Sequence, residues 1–270
     1  MSHPTSKRLP ENQTVILDLI KRGNAFLPVL LCVSAARLSG QGGPPMITDD
    51  PGTPGPGKWE INIAWTDERT PGSTFFGLPL LDANYGVGDR IQLNCQASWN
   101  ILRNAGQPSI VGMSDSQLAV KWRYFDAGEH GLRLSIYPRL TFLDPGSDSD
   151  RRRLADREAT FLLPFEAQKD FQWFSVNVDG GCLLSADKKD RGWMGGICIG
   201  RDVTKGWELD AEVHVNTDEH AGRSEWIANA GSRVDLSEHA ALLLAVGRDF
   251  RNQLGPKISL LSYVGLQLRF

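Results

Sequence analysis

The stretch that most limits what this chain can fold into is Lys257–Phe270. Val264, Leu266, Leu268 and Phe270 are apolar and two residues apart, with Tyr263, Gly265, Gln267 and Arg269 between them. A period of two belongs to a β-strand with one greasy and one wetter face. The pattern runs to a terminal aromatic residue, where soluble domains usually trail into a polar tail. Such a strand suits either the edge of a soluble sheet or the closing strand of a membrane barrel, and the rest of the chain separates the two.

The same alternation recurs along the body of the sequence. Trp59, Ile61, Ile63 and Trp65 alternate with Glu60, Asn62 and Ala64; Ile91, Leu93, Cys95, Ala97 and Trp99 alternate with five polar residues. Leu118, Val120, Trp122 and Tyr124 repeat the pattern, as do Leu132–Phe142, Phe161–Phe165 and Leu209–Val215. Weaker versions run over 80–85, 173–184, 193–203, 224–235 and 240–248. With the last strand this makes about twelve strands of roughly 9–11 residues, the length a tilted membrane strand needs. A soluble sandwich also alternates, but seldom carries so many charged and amide side chains on one face. The connections point the same way. Short ones at Gly86–Asp89, Ala127–His130, Lys169–Phe171, Val203–Gly206 and Leu236–His239 alternate with longer ones near 68–79, 101–113, 144–157, 185–191, 217–223 and 249–256. Tight turns at one end and long loops at the other are the habit of an antiparallel up-and-down transmembrane β-barrel with both termini in the periplasm. Trp59, Trp65, Trp99, Trp122, Trp173 and Trp193 fall near strand ends or on the apolar face, as interfacial girdles require.

Composition fits an all-β membrane barrel of this kind. Beyond the N-terminal leader, no segment approaches the 18 uninterrupted apolar residues of a membrane helix. The mean hydropathy of −0.27 is no objection, because only alternate residues of a barrel strand face lipid. A net charge of −3 argues against a nucleic-acid partner. Cys32, Cys95, Cys182 and Cys198 make neither a zinc spacing nor a dense disulfide framework. Three regions follow. Residues 1–41 read as a leader and cleavable signal peptide: Lys21 and Arg22, then apolar Ala25–Val33, then small Ser34, Ala35 and Ala36. Residues 42–57 are a Pro/Gly-rich periplasmic lead-in holding the Asp49–Asp50 pair, and 58–270 are the barrel.

Little in the sequence suggests catalysis. There is no phosphate loop and no nucleophile elbow, and no cofactor or metal is expected. His214 shares an inward strand face with Glu212 and Glu208, and His220 sits with Asp218 and Glu219 in a loop; both groups read as solvated side chains. Ser98, Ser135 and Ser232 become nucleophiles only if a histidine and an acid converge on one of them. The residues expected to line a lumen are Lys121, Arg123, Arg133 and Arg139 on one set of faces, and Glu166, Glu208, Asp210, Glu212 and His214 on others. Opposed basic and acidic walls would set a transverse field across a pore; the alternative is that they pair and close a narrow barrel.

Short motifs in a particular order carry a resemblance over about residues 44–270. They are Pro44–Pro51 followed by Lys58-Trp59-Glu60, then Asn84–Leu93, Asp115–Arg123 and Gln168–Phe171. In these the chain resembles the outer-membrane β-barrel family named for a meta-cleavage pathway of phenol degradation and often labelled simply a transporter. One departure is Phe142-Leu143-Asp144-Pro145-Gly146, where that family often has Leu-Pro-Thr-Gly. The resemblance implies an outer-membrane protein that admits small molecules, aromatic compounds among them. The expectation is therefore a porin-like channel for passive passage of small solutes. Its partners would be outer-membrane lipid, lipopolysaccharide at the charged loop Asp148–Arg153, and the barrel-assembly machinery through the strand ending at Phe270. A non-transporting structural or surface-binding barrel, and a lipid or ester hydrolase, are the alternatives.

Overall fold

The structure, a computed structural model, describes residues 42–128, 131–186, 191–218 and 222–270. The leader over 1–41 and the His220 loop tip lie outside the described residues. Among those described, no helix is long and apolar enough to cross a membrane, and the regular structure is all strand. The first seven strands are β1 (Trp59–Thr70), β2 (Ser73–Val87), β3 (Ile91–Asn104), β4 (Ile110–Met113), β5 (Ser116–Asp126), β6 (Leu132–Ile136) and β7 (Arg139–Phe142). The rest are β8 (Thr160–Asp170), β9 (Ser175–Ser185), β10 (Arg191–Thr204), β11 (Trp207–Asp218), β12 (Arg223–Ser237), β13 (Ala240–Asn252) and β14 (Leu260–Arg269).

These make twelve wall strands. β4 and β5 both pair with β3, at Leu102↔Ile110 and Gln96↔Gln117, so they are one wall strand broken at Ser114-Asp115. β6 and β7 both lie between β5 and β8, as one strand broken at Tyr137-Pro138. Proline there supplies no N–H to the ladder. All pairings are antiparallel, and β14 returns to β1 from Glu60↔Arg269 through Arg69↔Leu260. The seam is finished by two backbone bonds between Trp59 and Phe270. The expected closed up-and-down barrel is the observed one.

Burial is inverted relative to a water-soluble protein. Phe165, Val246 and Trp193 are 55–58% exposed on the outside, with Trp59, Trp99, Trp122 and Trp207 also exposed. Asn62, Glu166, Asn177, His214 and Gln267 are buried within. The buried apolar cluster holds Ile227 and Ile258, with Ile47 and Leu261 against it. An apolar surface of this extent suits lipid, not water. Inside, some of the amides and carboxylates pair with one another: Asn62 Nδ2 donates to Asp82 Oδ2 at 2.9 Å, and Gln92 Nε2 to Asn84 Oδ1 at 2.7 Å.

The connections depart from the expected alternation. Where a long loop is expected over 68–79, β1 and β2 are joined by Pro71 and Gly72 alone, and β2 runs for 15 residues. Pro79 misleads here. It sits where the register shifts between Gly77 and Leu80, so the missing N–H costs the ladder nothing. The long connection at that end is 143–159. It folds back along β4, whose other side is free of the sheet. Ser114 Oγ donates to the Leu154 carbonyl at 2.9 Å and the Asp156 N–H donates to Asp115 Oδ1 at 2.9 Å. The Arg152 guanidinium donates to the Val111 carbonyl. Leu154 is fully buried beneath this flap, which covers a strand edge otherwise open to pairing with another chain. Leu154→Ala should cost the flap about 2–5 kcal/mol. Trypsin should then cut at Arg151–Arg153 at least several-fold faster while the barrel stays intact on gels. Unchanged cutting would mean that Leu154 does not anchor the flap.

Of residues 42–57, expected as a periplasmic lead-in, 42–51 are packed inside the barrel, while Pro56 and Gly57 are exposed at its rim. The segment turns in at the short-turn end. The Gly57 N–H donates to the Gly86 carbonyl at 2.9 Å, and the Gly86 N–H to the Lys58 carbonyl at 2.9 Å. A Cβ on Gly86 would stand 1.8 Å from the Gly55 carbonyl oxygen, so only glycine allows this close approach.

Candidate functional site

What holds the segment is an exchange of charge and hydrogen bonds with three sides of the wall. Glu212, on β11, accepts the Ile47 N–H at 2.9 Å and the Thr48 N–H at 2.7 Å, and also the amide of Asn229 at 2.6 Å. Asp179, on β9, accepts the Asp49 N–H at 3.2 Å. Arg233, on β12, donates to the Pro44 carbonyl at 3.1 Å. Opposite these, Asp49 presents its carboxylate to two cations: Lys121 Nζ is 2.8 Å from Oδ1, and Arg139 Nη2 is 3.0 Å from Oδ2. Both cations lie over the Tyr137 ring, at 4.6 and 4.3 Å from its centroid. Glu166 stands behind them at 3.5 and 3.7 Å, its Oε2 accepting the Ser135 hydroxyl at 2.6 Å. Burial by itself would raise the pKa of Asp49; Lys121 and Arg139 outweigh it and hold the carboxyl below its ordinary value. For the neighbouring Asp50, burial prevails over Lys121 and the pKa goes up.

The residues named from sequence are thus distributed unevenly. Lys121, Arg139, Glu166 and Glu212 meet at or across the inserted segment. Arg123 is elsewhere, donating to the Asp89 carbonyl at 2.6 Å and pairing with Asp126 at 3.2 Å. Arg133 pairs with Asp170. Glu208 and Asp210 are buried, with Arg233 directly across the ladder from Glu208. His214 is buried, and a Cβ added at Gly196 would meet both its ring and the Thr48 hydroxyl. Basic and acidic walls therefore do not face one another across open water: segment 42–57 lies between them, carboxylate towards the cations and backbone N–H groups towards the carboxylates. Asp49, Asp179 and Arg233 are the participants not named from sequence as lining residues; Tyr137 does fall by alternation on the polar face of its strand, between Ser135 and Arg139. Only the Asp49-Asp50 doublet stands out in the sequence, as a charge pair amid Pro and Gly.

Two cavities flank the segment. One, of about 220 Å³, lies towards the long-loop end and is lined by Phe75, Leu162, Leu183 and Met194 together with Asn100, Asn216 and His214. The other, of about 290 Å³, surrounds Asp49, Lys121, Tyr137 and Arg233. Ile47, Thr66, Leu80, Gln96, Gln117 and Arg139 line both. The two spaces abut at a waist to which Arg139 brings the charge.

A wall of this form, apolar outside and polar within, has counterparts among solved structures. An outer membrane channel from Pseudomonas putida F1 superposes with a TM-score of 0.65 at 14% identity, over 85% of this chain and 100% of that one. The fold is that of an outer-membrane channel barrel. The NanC porin matches with a TM-score of 0.55 at 7% identity, and the KdgM porin in complex with disordered oligogalacturonate with 0.52 at 12%. Each covers 77% of this chain, and 98% and 99% of the porin respectively. No family model matches the sequence, and no curated protein matches it either. At such identities the likeness of this channel-type barrel to its neighbours is one of fold.

Proposed function

We propose that this protein is a passive outer-membrane channel for small solutes, narrowed by its own segment 42–57. The observation that carries the reading is the pair of cavities abutting at one waist inside a closed wall with an apolar exterior. Phe75, Leu162, Leu183 and Met194 give small hydrophobic or aromatic solutes a surface in the cavity near the loops. Lys121, Arg139, Glu166 and Glu212 would set charge preference at and below the waist, with Arg123, Arg133, Glu208, Asp210 and His214 contributing from the remaining wall. The serines singled out for hydrolysis are otherwise engaged. Ser135 donates to Glu166, Ser98 to Asn100 Oδ1 at 2.6 Å, and Ser232 to the Glu208 carbonyl at 3.0 Å. On this reading the chain is exported by its leader and inserted by the barrel-assembly machinery through β14, with lipid and lipopolysaccharide around it.

The test is planar-bilayer conductance of the refolded protein, with the reversal potential measured under a salt gradient. Stable, small channel steps with a reproducible charge preference are expected. A well-folded, heat-modifiable barrel that never conducts would overturn the channel in favour of a structural or surface-binding barrel.

A further inference from the structure

Asp49 is not part of the wall, yet its carboxylate fills a built anion site in the lumen. That site is made by the chain's own strands. Lys121 from β5 and Arg139 from β7 converge on two oxygens of one carboxylate at 2.8 and 3.0 Å. Tyr137 floors both cations, and Glu166, held by Ser135, fixes them from behind. Lys121 is only 3% exposed. A lysine so buried needs a counter-charge, and Glu166 alone is shared with Arg139. Without Asp49, Glu166 would be the one carboxylate among the described residues in ion-pair contact with the two cations, with Asp50 and Asp179 standing further off, and both cations would be left without their nearest acceptor at the edge of the 290 Å³ cavity. A carboxylate spanning the same two donors restores the balance.

We infer that Lys121, Arg139 and Tyr137 form a binding site for small monocarboxylate solutes, and that Asp49 occupies it as a built-in competitor. The inference rests on the channel reading for its physiological use, but binding itself does not require conductance. The solute's carboxylate takes the place of the Asp49 carboxylate, and its apolar body lies in the adjoining cavity. Asp49 loses the two contacts that hold it on this side of the wall, and segment 42–57 retains the Glu212 side. No covalent bond changes; one anion replaces another.

The probe is sodium hexanoate, with n-hexanol as the uncharged control of similar shape, observed by saturation-transfer NMR on the full barrel in detergent. Asp49→Asn removes the competing negative charge while keeping the shape of the side chain, and should bind hexanoate about tenfold more tightly than the native chain. Asp49→Asn combined with Arg139→Gln should lose that gain, and hexanol should not distinguish the three proteins. Equal hexanoate binding by all three, or hexanol binding as well as hexanoate, would overturn the site. A second measurement needs no variant. In the native chain, amide hydrogen exchange over 47–50 should accelerate with rising hexanoate and not with hexanol; exchange indifferent to hexanoate would count against the competitor role. Hexanoate binding by a barrel that never conducts would sink the channel reading alone, whereas conductance without hexanoate binding would sink this site alone.

Discussion

Glu212→Ala is expected to raise single-channel conductance several-fold. Glu212 is buried and accepts two successive backbone N–H groups of the inserted segment as well as the Asn229 amide. Its loss leaves those donors without an acceptor, at about 1–3 kcal/mol for each buried group. The Asp49 contacts to Lys121, Arg139 and Asp179 and the Arg233 bond to Pro44 remain, so the flanks stay held while the Ile47-Thr48 stretch between them loosens at the waist. Conductance in bilayers gives the size of the effect, and amide exchange at Ile47 and Thr48 shows whether the segment has left. Normal conductance together with fast exchange would mean that the segment does not restrict flow. Glu212→Gln, which keeps one carbonyl acceptor, should fall between the native chain and alanine.

Lys121→Glu carries the second large effect, and it has two readouts. The substitution removes one buried cation and sets a third carboxylate beside Asp49 and Glu166. Breaking a buried pair by removing one partner costs about 3–5 kcal/mol, and the added like charge raises that. The unfolding midpoint in denaturant should drop substantially, and the reversal potential should move towards cation preference. Lys121→Met should give a smaller shift in both. If Lys121→Glu leaves the reversal potential unchanged, the charges at the waist do not set selectivity.

The wall was readable from sequence because the rule behind it is local. In Leu209–Val215 every second residue is apolar, and the structure turns those residues outward and Glu208, Asp210, Glu212 and His214 inward. A period of two leaves few other ways to bury one face of each strand. Turn chemistry was less readable. Pro79 looks like a strand breaker by residue type alone, and only its place at a register shift makes it harmless. The site was half legible. Lys121, Arg139, Glu166 and Glu212 fall on inward faces by alternation, but what they bind does not alternate. Asp49 reaches Lys121 across 72 positions of sequence, and Ile47 reaches Glu212 across 165. Nothing local in Pro44–Gly57 marks the segment as an insert instead of an approach.

Asp49 is joined to the wall through a leash, residues 50–58, that ends at Trp59 in β1. A carboxylate tethered so closely acts as if it were present at an effective concentration on the order of millimolar or above. Any free solute that wants the same pair of cations competes against that standing concentration. The tether therefore works as a threshold: dilute anions leave the barrel as it is, and only an abundant one displaces the leashed carboxylate. Lengthening the leash by glycines would lower the threshold without touching a single residue of the pore wall.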